Sequence, residues 1–405
     1  MTRSRPRATT LTVSAIAIAV AFGVTLTGCT PTDAPPSASP AVPSASPTPE
    51  PVLDPGPVPR IDADCEQLVA LPALQSFVGD AGAPLVMLHE PERLTPDEAA
   101  VLQLGGLVCD WASHTDPVSS VPSEGAQRVR LRVMPEGLEH AAEYVATYQI
   151  ADPTYGEHVQ GPRCIAPDAG RSSGYCELIG AIGPTWVELQ VSGIAAASGS
   201  TDASLRDAFR ASIADRLVAE LQAMTAPRPR WSPTAVGRAD SCENALSTEQ
   251  VAALTGFPDV WFGVSWDGPR LGQYSYATDE TGAKRCSIHP IAQADATFGA
   301  VFLLPGGSWA FDRYRDTWLA SGGMPQPVTG LTPDEAVLRC ADEAAECRLD
   351  LSLEGDWVAI VFPPVPDESV SDESVSSVSE LDLAAARASI VPLAEALVAN
   401  LGAPA

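Results

Sequence analysis

Apolar positions recur along this chain with three different periods. Strict alternation runs through Arg128-Val129-Arg130-Leu131-Arg132-Val133 and predicts a half-buried strand, with residues 297–304 as a counterpart. Apolar residues four apart (Leu205, Phe209, Ile213, Leu217, Leu221) predict an amphipathic helix. Shorter helical patterns follow at 66–77 and 247–254, then through Leu138, Ala142, Val145 and Tyr148, and through Phe311, Tyr314 and Trp318. Two hairpins are predicted, 176–182 with 186–191 about Gly183-Pro184-Thr185, and 347–353 with 357–362 about Glu354-Gly355-Asp356. Pro392 falls inside the last helix of the second half and predicts a kink or a late start there. The order helix, strands, helix, hairpin, helix occurs twice. It predicts an α+β fold: two tandem copies of a module with an antiparallel sheet packed by helices on one face.

The repeat is also written in particular residues. Cys65 and Cys109 are 44 apart, as are Cys242 and Cys286, and the copies are offset by 177. Arg210-Ala211-Ser212-Ile213 returns as Arg387-Ala388-Ser389-Ile390 with the same offset. Cys176 precedes Trp186 by ten residues and Cys347 precedes Trp357 by ten. Several matches in one order point to a tandem duplication. Leu94-Thr95-Pro96-Asp97-Glu98-Ala99 recurs at 331–336, but at a different offset of 237. Its Thr-Pro-x-Glu spacing is that of a capping box with Pro at the first helical position, so both copies read as helix starts rather than as equivalent sites.

The third period is an unbroken apolar run, Leu11 to Leu26, preceded by Arg3, Arg5 and Arg7 and followed by Leu26-Thr27-Gly28-Cys29. This pattern resembles a secretory signal ending in a bacterial lipobox. Residues 1–28 are read as the signal peptide and Cys29 as the lipid-bearing first residue of the mature protein. The run is shorter than the roughly 20 residues a membrane-spanning helix needs. Two acyl chains give stable anchoring, each buried CH₂ contributing about 0.8 kcal/mol. Residues 29–60 are rich in Pro, Ser and Ala, with 11 prolines in 31–60. Such a tract extends to about 3.1 Å per residue and reads as a stalk. The modules are then 61–225 and 238–405, joined by 226–237, where three prolines make a stiff connection. A Ser/Asp/Glu-rich tract at 363–380 reads as a solvated loop.

In an exported chain, eight further cysteines read as disulfides, four per copy. Four cysteines allow three pairings. The shared 44-residue spacing favours Cys65–Cys109 and Cys242–Cys286, which leaves Cys164–Cys176 and Cys340–Cys347. Each bond contributes about 2–4 kcal/mol.

Charge and motif narrow the function further. The chain carries −27, and the three signal arginines raise the magnitude to −30 in the mature protein. Only one lysine, Lys284, is present. This excludes nucleic acid and anionic headgroups as partners of a basic face. No cofactor or metal is expected, since there is no Cys-x-x-Cys, no His pair at helical spacing and no phosphate-binding Gly-rich loop with Lys. Gly170-Arg171-Ser172-Ser173-Gly174 matches a hydrolase nucleophile pattern. It sits between two cysteines and reads as a loop. His114 and His289 follow the second Cys of each copy and read as strand-end polar residues. Trp261, Trp266, Tyr274 and Tyr276 fall in a Gly/Asp-rich stretch of copy two and are candidate binding residues, because loop aromatics serve as anchors.

The lipobox, the stalk, a Cys near the first helix, Cys109-Asp110-Trp111 and the final hairpin and helix together resemble an actinobacterial lipoprotein domain of unknown function with a Cys-x-Trp motif. That group is similar to the extracellular sensor domains of receptor kinases. The resemblance covers about 60–225 and 238–403, and copy two departs from it at Cys286-Ser287-Ile288. It implies binding or sensing in the cell envelope. The sequence thus predicts a non-enzymatic lipoprotein on the outer face of the cytoplasmic membrane, with the membrane as partner through its lipid and an envelope protein or small ligand as the other. The alternatives are a wall-polymer or ester hydrolase using Ser172 and a carrier of an apolar ligand.

Overall fold

The computed structural model describes residues 56–79, 84–88, 94–113, 127–148, 155–156, 158–167, 173–195, 199–224, 230–232, 241–257, 259–264, 272–291, 299–341, 346–362 and 388–402. Cys29, residues 29–55 of the predicted stalk, His114, Ser172, Trp266 and the tract 363–380 lie outside them; residues 56–60 of that stretch are described, and buried Arg60 donates its backbone N–H to the Gly105 carbonyl and pairs with Glu136, so this end is packed on the first module.

The first module opens with α1 (Cys65–Leu68) and α2 (Leu71–Val78). The predicted single helix over 66–77 is two, because Val69 is extended and Pro72 can occupy only the first turn of a new helix. Next come β1 (Val86–Met87), α3 (Pro96–Gln103), β2 (Leu107–Ala112), β3 (Arg128–Met134) and α4 (Leu138–Tyr148). Then β4 (Val159–Ile165), β5 (Gly174–Ile182) and β6 (Thr185–Ile194) lead into α5 (Asp202–Phe209) and α6 (Asp215–Ala223). A π-turn at Arg210–Ala214 joins the last two. All strand pairs are antiparallel, in the order β1-β2-β3-β6-β5-β4.

The second module repeats the plan with α7 (Cys242–Ala245), α8 (Thr248–Thr255), β7 (Val260–Val264), α9 (Gln273–Thr281), β8 (Lys284–Pro290), β9 (Gly299–Leu304) and α10 (Ser308–Ala320). After β10 (Met324–Pro325) come β11 (Ala336–Ala341), β12 (Glu346–Leu353), β13 (Asp356–Phe362) and α11 (Ile390–Gly402). The sheet order is β7-β8-β9-β13-β12-β11-β10, the order of the first sheet with β10 added at one edge. The pairs α1/α7, α2/α8 and α3/α9 begin 177 residues apart. Duplication thus extends to topology and register.

Local chemistry accounts for most boundaries. Thr95 and Ser247 close capping boxes with Glu98 and Gln250. The second hairpin turns on Glu354 and Gly355, both at positive φ, as a two-residue turn between twisted strands requires. Pro392 lies in the first turn of α11, where its missing N–H costs no helical bond, and the helical chain is interrupted just before it at Ser389. The second Thr-Pro-x-Glu box is present at Thr332 and Glu335, but it opens only a three-residue 3₁₀ turn. The expected helix there fails because Ala336 turns extended and enters β11, where pairing with β12 competes successfully for the chain.

The structure joins Cys65 to Cys109, Cys164 to Cys176, Cys242 to Cys286, and Cys340 to Cys347. The first and third tie the opening helix of a module to its sheet. The second and fourth bridge directly opposed residues of neighbouring strands.

Each sheet carries a core on one face. In the first module Cys109, Trp111, Val129, Leu131, Val187 and Leu189 meet Leu74, Phe209, Ile213 and Leu217 from the helices. In the second, Ile288, Val301, Leu349, Val358 and Ile360 meet Leu393, Leu397 and Leu401. Ile288 is fully buried where the first copy has Trp111, so the missing Trp of copy two is replaced by another core residue.

The opposite faces are covered as well, and the cover is exchanged. Helix α3 of the first module packs on α9 and on strands β9 and β13 of the second sheet. Helix α9 of the second module reaches the first sheet, where Gln273 bonds the carbonyls of Trp186 and Arg132. A third core joins Ala99, Ala100, Val101, Met134 and Trp186 to Ala277, Leu304, Trp309, Trp318 and Trp357. Small residues on α3 and α9 let the two helices approach closely. Seven of the eight residues of α3 are buried, which is why its sequence shows little amphipathic pattern.

Candidate functional site

The contact between α3, α9 and the two sheets is also where charges are buried. Arg132 on β3 meets Glu188 on β6 at 3.2 Å, each side chain 7% exposed. Glu188 accepts a second bond, 2.9 Å from the backbone N–H of Gln273, the first residue of α9. An anionic acceptor at a helix N-terminus is favoured by the helix dipole. The Arg132 guanidinium lies 3.8 Å over the Tyr274 ring, and the Tyr274 hydroxyl donates to Glu98 of α3 at 3.2 Å. In the second sheet Asp350 is fully buried between Arg339 at 2.7 Å and Arg348 at 2.8 Å, and accepts from the Trp357 indole at 3.1 Å.

Asp97 sits in the first turn of α3 among these groups. It is 5% exposed, with Oδ2 3.8 Å from Arg285 Nη1 of β8 and with no hydrogen-bond partner on Oδ1. Burial pushes its carboxyl up to about 6, and Arg285 opposes that shift most strongly, helped by Arg132 and Arg348. At the far end of α3, Gln103 donates to the Pro305 carbonyl at 2.9 Å and accepts from the Trp309 indole at 3.3 Å.

The two copies differ on these faces. On the first sheet Asp110, Arg130 and Gln190 share one cross-strand row, and Arg132 and Glu188 another. The corresponding rows of the second sheet hold Ser287, Ala300 and Val361, then Phe302 and Ala359. Asp110 pairs with Arg128 at 2.6 Å, whereas Ser287 is 1% exposed with no partner on its hydroxyl.

The candidate aromatics separate. Tyr274 and Tyr276 are not on a loop but on α9, a helix held between the modules. Tyr276 stands 6.2 Å from Trp186 and 4.1 Å from His140. Trp261 is on the edge strand β7, 39% exposed, and stacks on His289 at 4.4 Å and 18°. The His289 ring occupies the space a side chain at Gly263 would need, 2.5 Å from the position of its Cβ. His289 is thus a strand residue that props an exposed indole.

A shallow polar cleft of about 270 Å³ lies elsewhere, between α1 and α6, lined by Asp62, Gln67, Arg216 and Glu220. Among the described residues no three His, Cys, Asp or Glu side chains cluster as metal ligands, and no helix is long and apolar enough to cross a membrane. Sequence reasoning missed Asp97, Arg132 and Glu188. The available signal was an acid in a capped first turn that runs into Ala99-Ala100-Val101-Leu102, and arginines alternating along a strand.

No known protein family matches the sequence, and no curated protein does. Among solved structures the chain is similar to DynU16, a protein of the dynemicin biosynthetic locus, at 11% identity over 78% of this chain and 96% of that one. The TM-score is 0.11, which carries no argument about fold or function.

Proposed function

We propose that this chain is a non-enzymatic binding or sensing protein of the cell envelope, tethered by acyl groups on Cys29. Its address rests on the arginine-led apolar segment and the Leu26-Thr27-Gly28-Cys29 sequence. Four disulfides suit an oxidising compartment. The observation that carries binding is Trp261, a large apolar ring kept at the surface of an edge strand and backed by His289. A rigid exposed indole supplies contact area at low entropic cost, as binding anchors do.

Two measurements test the reading. Cells fed a clickable fatty acid label the full chain, and Cys29→Ser loses the label; retained label refutes the tether. Cross-linking in intact envelopes gives adducts with the wild type that Trp261→Ala reduces severalfold; an unchanged adduct pattern refutes Trp261 as the anchor.

A further inference from the structure

Helices α3 and α9 hold equivalent places in the two copies, and each lies across the boundary between them. Whatever loosens α3 from the second sheet loosens the modules from each other. Asp97 is an acid of α3 at that contact, 3.8 Å from Arg285 of a sheet that belongs to the other module.

We propose that Asp97 is a proton-operated latch between the modules, tightening their contact as the exterior acidifies and relaxing it as the pH rises. The proposal is independent of any ligand and of the tether. It stands first on geometry. The carboxyl is buried, one oxygen lacks a partner, and the nearest cation is 3.8 Å away, too far for a good hydrogen bond. The charged groups around it come from several elements: Arg285 of β8, Arg132 of β3, Arg348 of β12, and Glu98 on its own helix. Glu188 and Asp350 engage Arg132 and Arg348, which leaves Arg285 as the cation nearest the acid. Tyr274 of α9 bonds Glu98 rather than Asp97. His140 of α4, stacked on Tyr276, is the other titratable ring at this contact.

The sign follows from linkage. In the closed state the Asp97 carboxyl holds its proton up to about pH 6. Exposed to water, an Asp releases it near pH 4. Closing therefore takes up a proton between those values, and acid favours the closed state. From pH 7 to pH 5 the closing constant rises about tenfold.

The test is hydrogen exchange of the intact, oxidised mature chain, read in α3 and α9 at pH 5, 6 and 7 and corrected for intrinsic rates. Opening of both helices is expected to fall about tenfold from pH 7 to pH 5. Asp97→Asn is expected to remove that dependence and to hold both helices at least as closed as the wild type at pH 5 throughout. Arg285→Gln, which removes the strongest opposing charge, moves the midpoint upward. His140→Phe leaves the wild-type dependence intact. A pH-independent wild type, a dependence that survives Asp97→Asn, or one abolished by His140→Phe overturns the latch. If Asp97→Asn does not fold, an unmoved midpoint in Arg285→Gln does so alone.

Discussion

Gln273 donates its backbone N–H to Glu188 at 2.9 Å, so the first turn of a helix from one copy is capped by a carboxylate from the sheet of the other. With α3 lying on the opposite sheet, this makes the chain a duplicated module whose copies exchange helices. Neither sheet has its second face covered by its own copy alone. The contact is reciprocal, the third helix of each copy lying against the sheet of the other.

Glu188 holds both Arg132 and the α9 N-terminus, so Glu188→Ala leaves a buried guanidinium without its acid. A loss of about 3–5 kcal/mol is expected, read from denaturant midpoints. The double variant Arg132→Met, Glu188→Leu removes both charges together and is expected to cost much less.

The disulfides differ in the chain they close. In the chain-entropy account, Cys242–Cys286, spanning 44 residues, contributes about 4 kcal/mol, and Cys340–Cys347, spanning 7, about 2. Replacing each pair by serines and comparing thermal unfolding is expected to reproduce that order.

Gly299 faces Phe362 on the neighbouring strand, and an added Cβ falls 2.1 Å from the ring. The ring is fully buried and has little room to retreat. Gly299→Ala is expected to destabilise by about 1–3 kcal/mol through overpacking, measured by urea unfolding.

Asp97 also affects global stability. Its pKa is raised in the folded chain, so the folded state binds more protons than the unfolded one between about pH 4 and pH 6. Its contribution is most favourable below that window and is lost as pH rises through it, by about 3 kcal/mol in all. Glu136 works in the opposite sense, because the Arg60 hydrogen bond lowers its pKa. The informative quantity is therefore the difference between wild type and Asp97→Asn, expected to grow in favour of the variant from pH 5 to pH 7.

What the sequence determined by itself is local or repeated. Strand alternation at Arg128 to Val133, the four-residue spacing from Leu205 to Leu221, and the hairpin turns depend on neighbours in the chain. The shared 44-residue cysteine spacing depends on comparing the copies. These features placed most of the elements and the duplication, and they favoured one disulfide pairing among three, which the folded chain decided. The tertiary structure decided what covers the second face of each sheet. Arg130 and Arg132 alternate with Val129 and Leu131 whether the arginines meet water or another module, because period-two patterning records that a face is polar and not what lies over it. The apolar run after Glu98 likewise indicates burial without naming the sheet that buries it. Tyr274 and Tyr276 read as loop anchors for the same reason: helix α9 has its amphipathic pattern blurred by contacts on several sides. Assigning those faces requires distances between residues as far apart as Asp97 and Arg285, and only the folded chain supplies them.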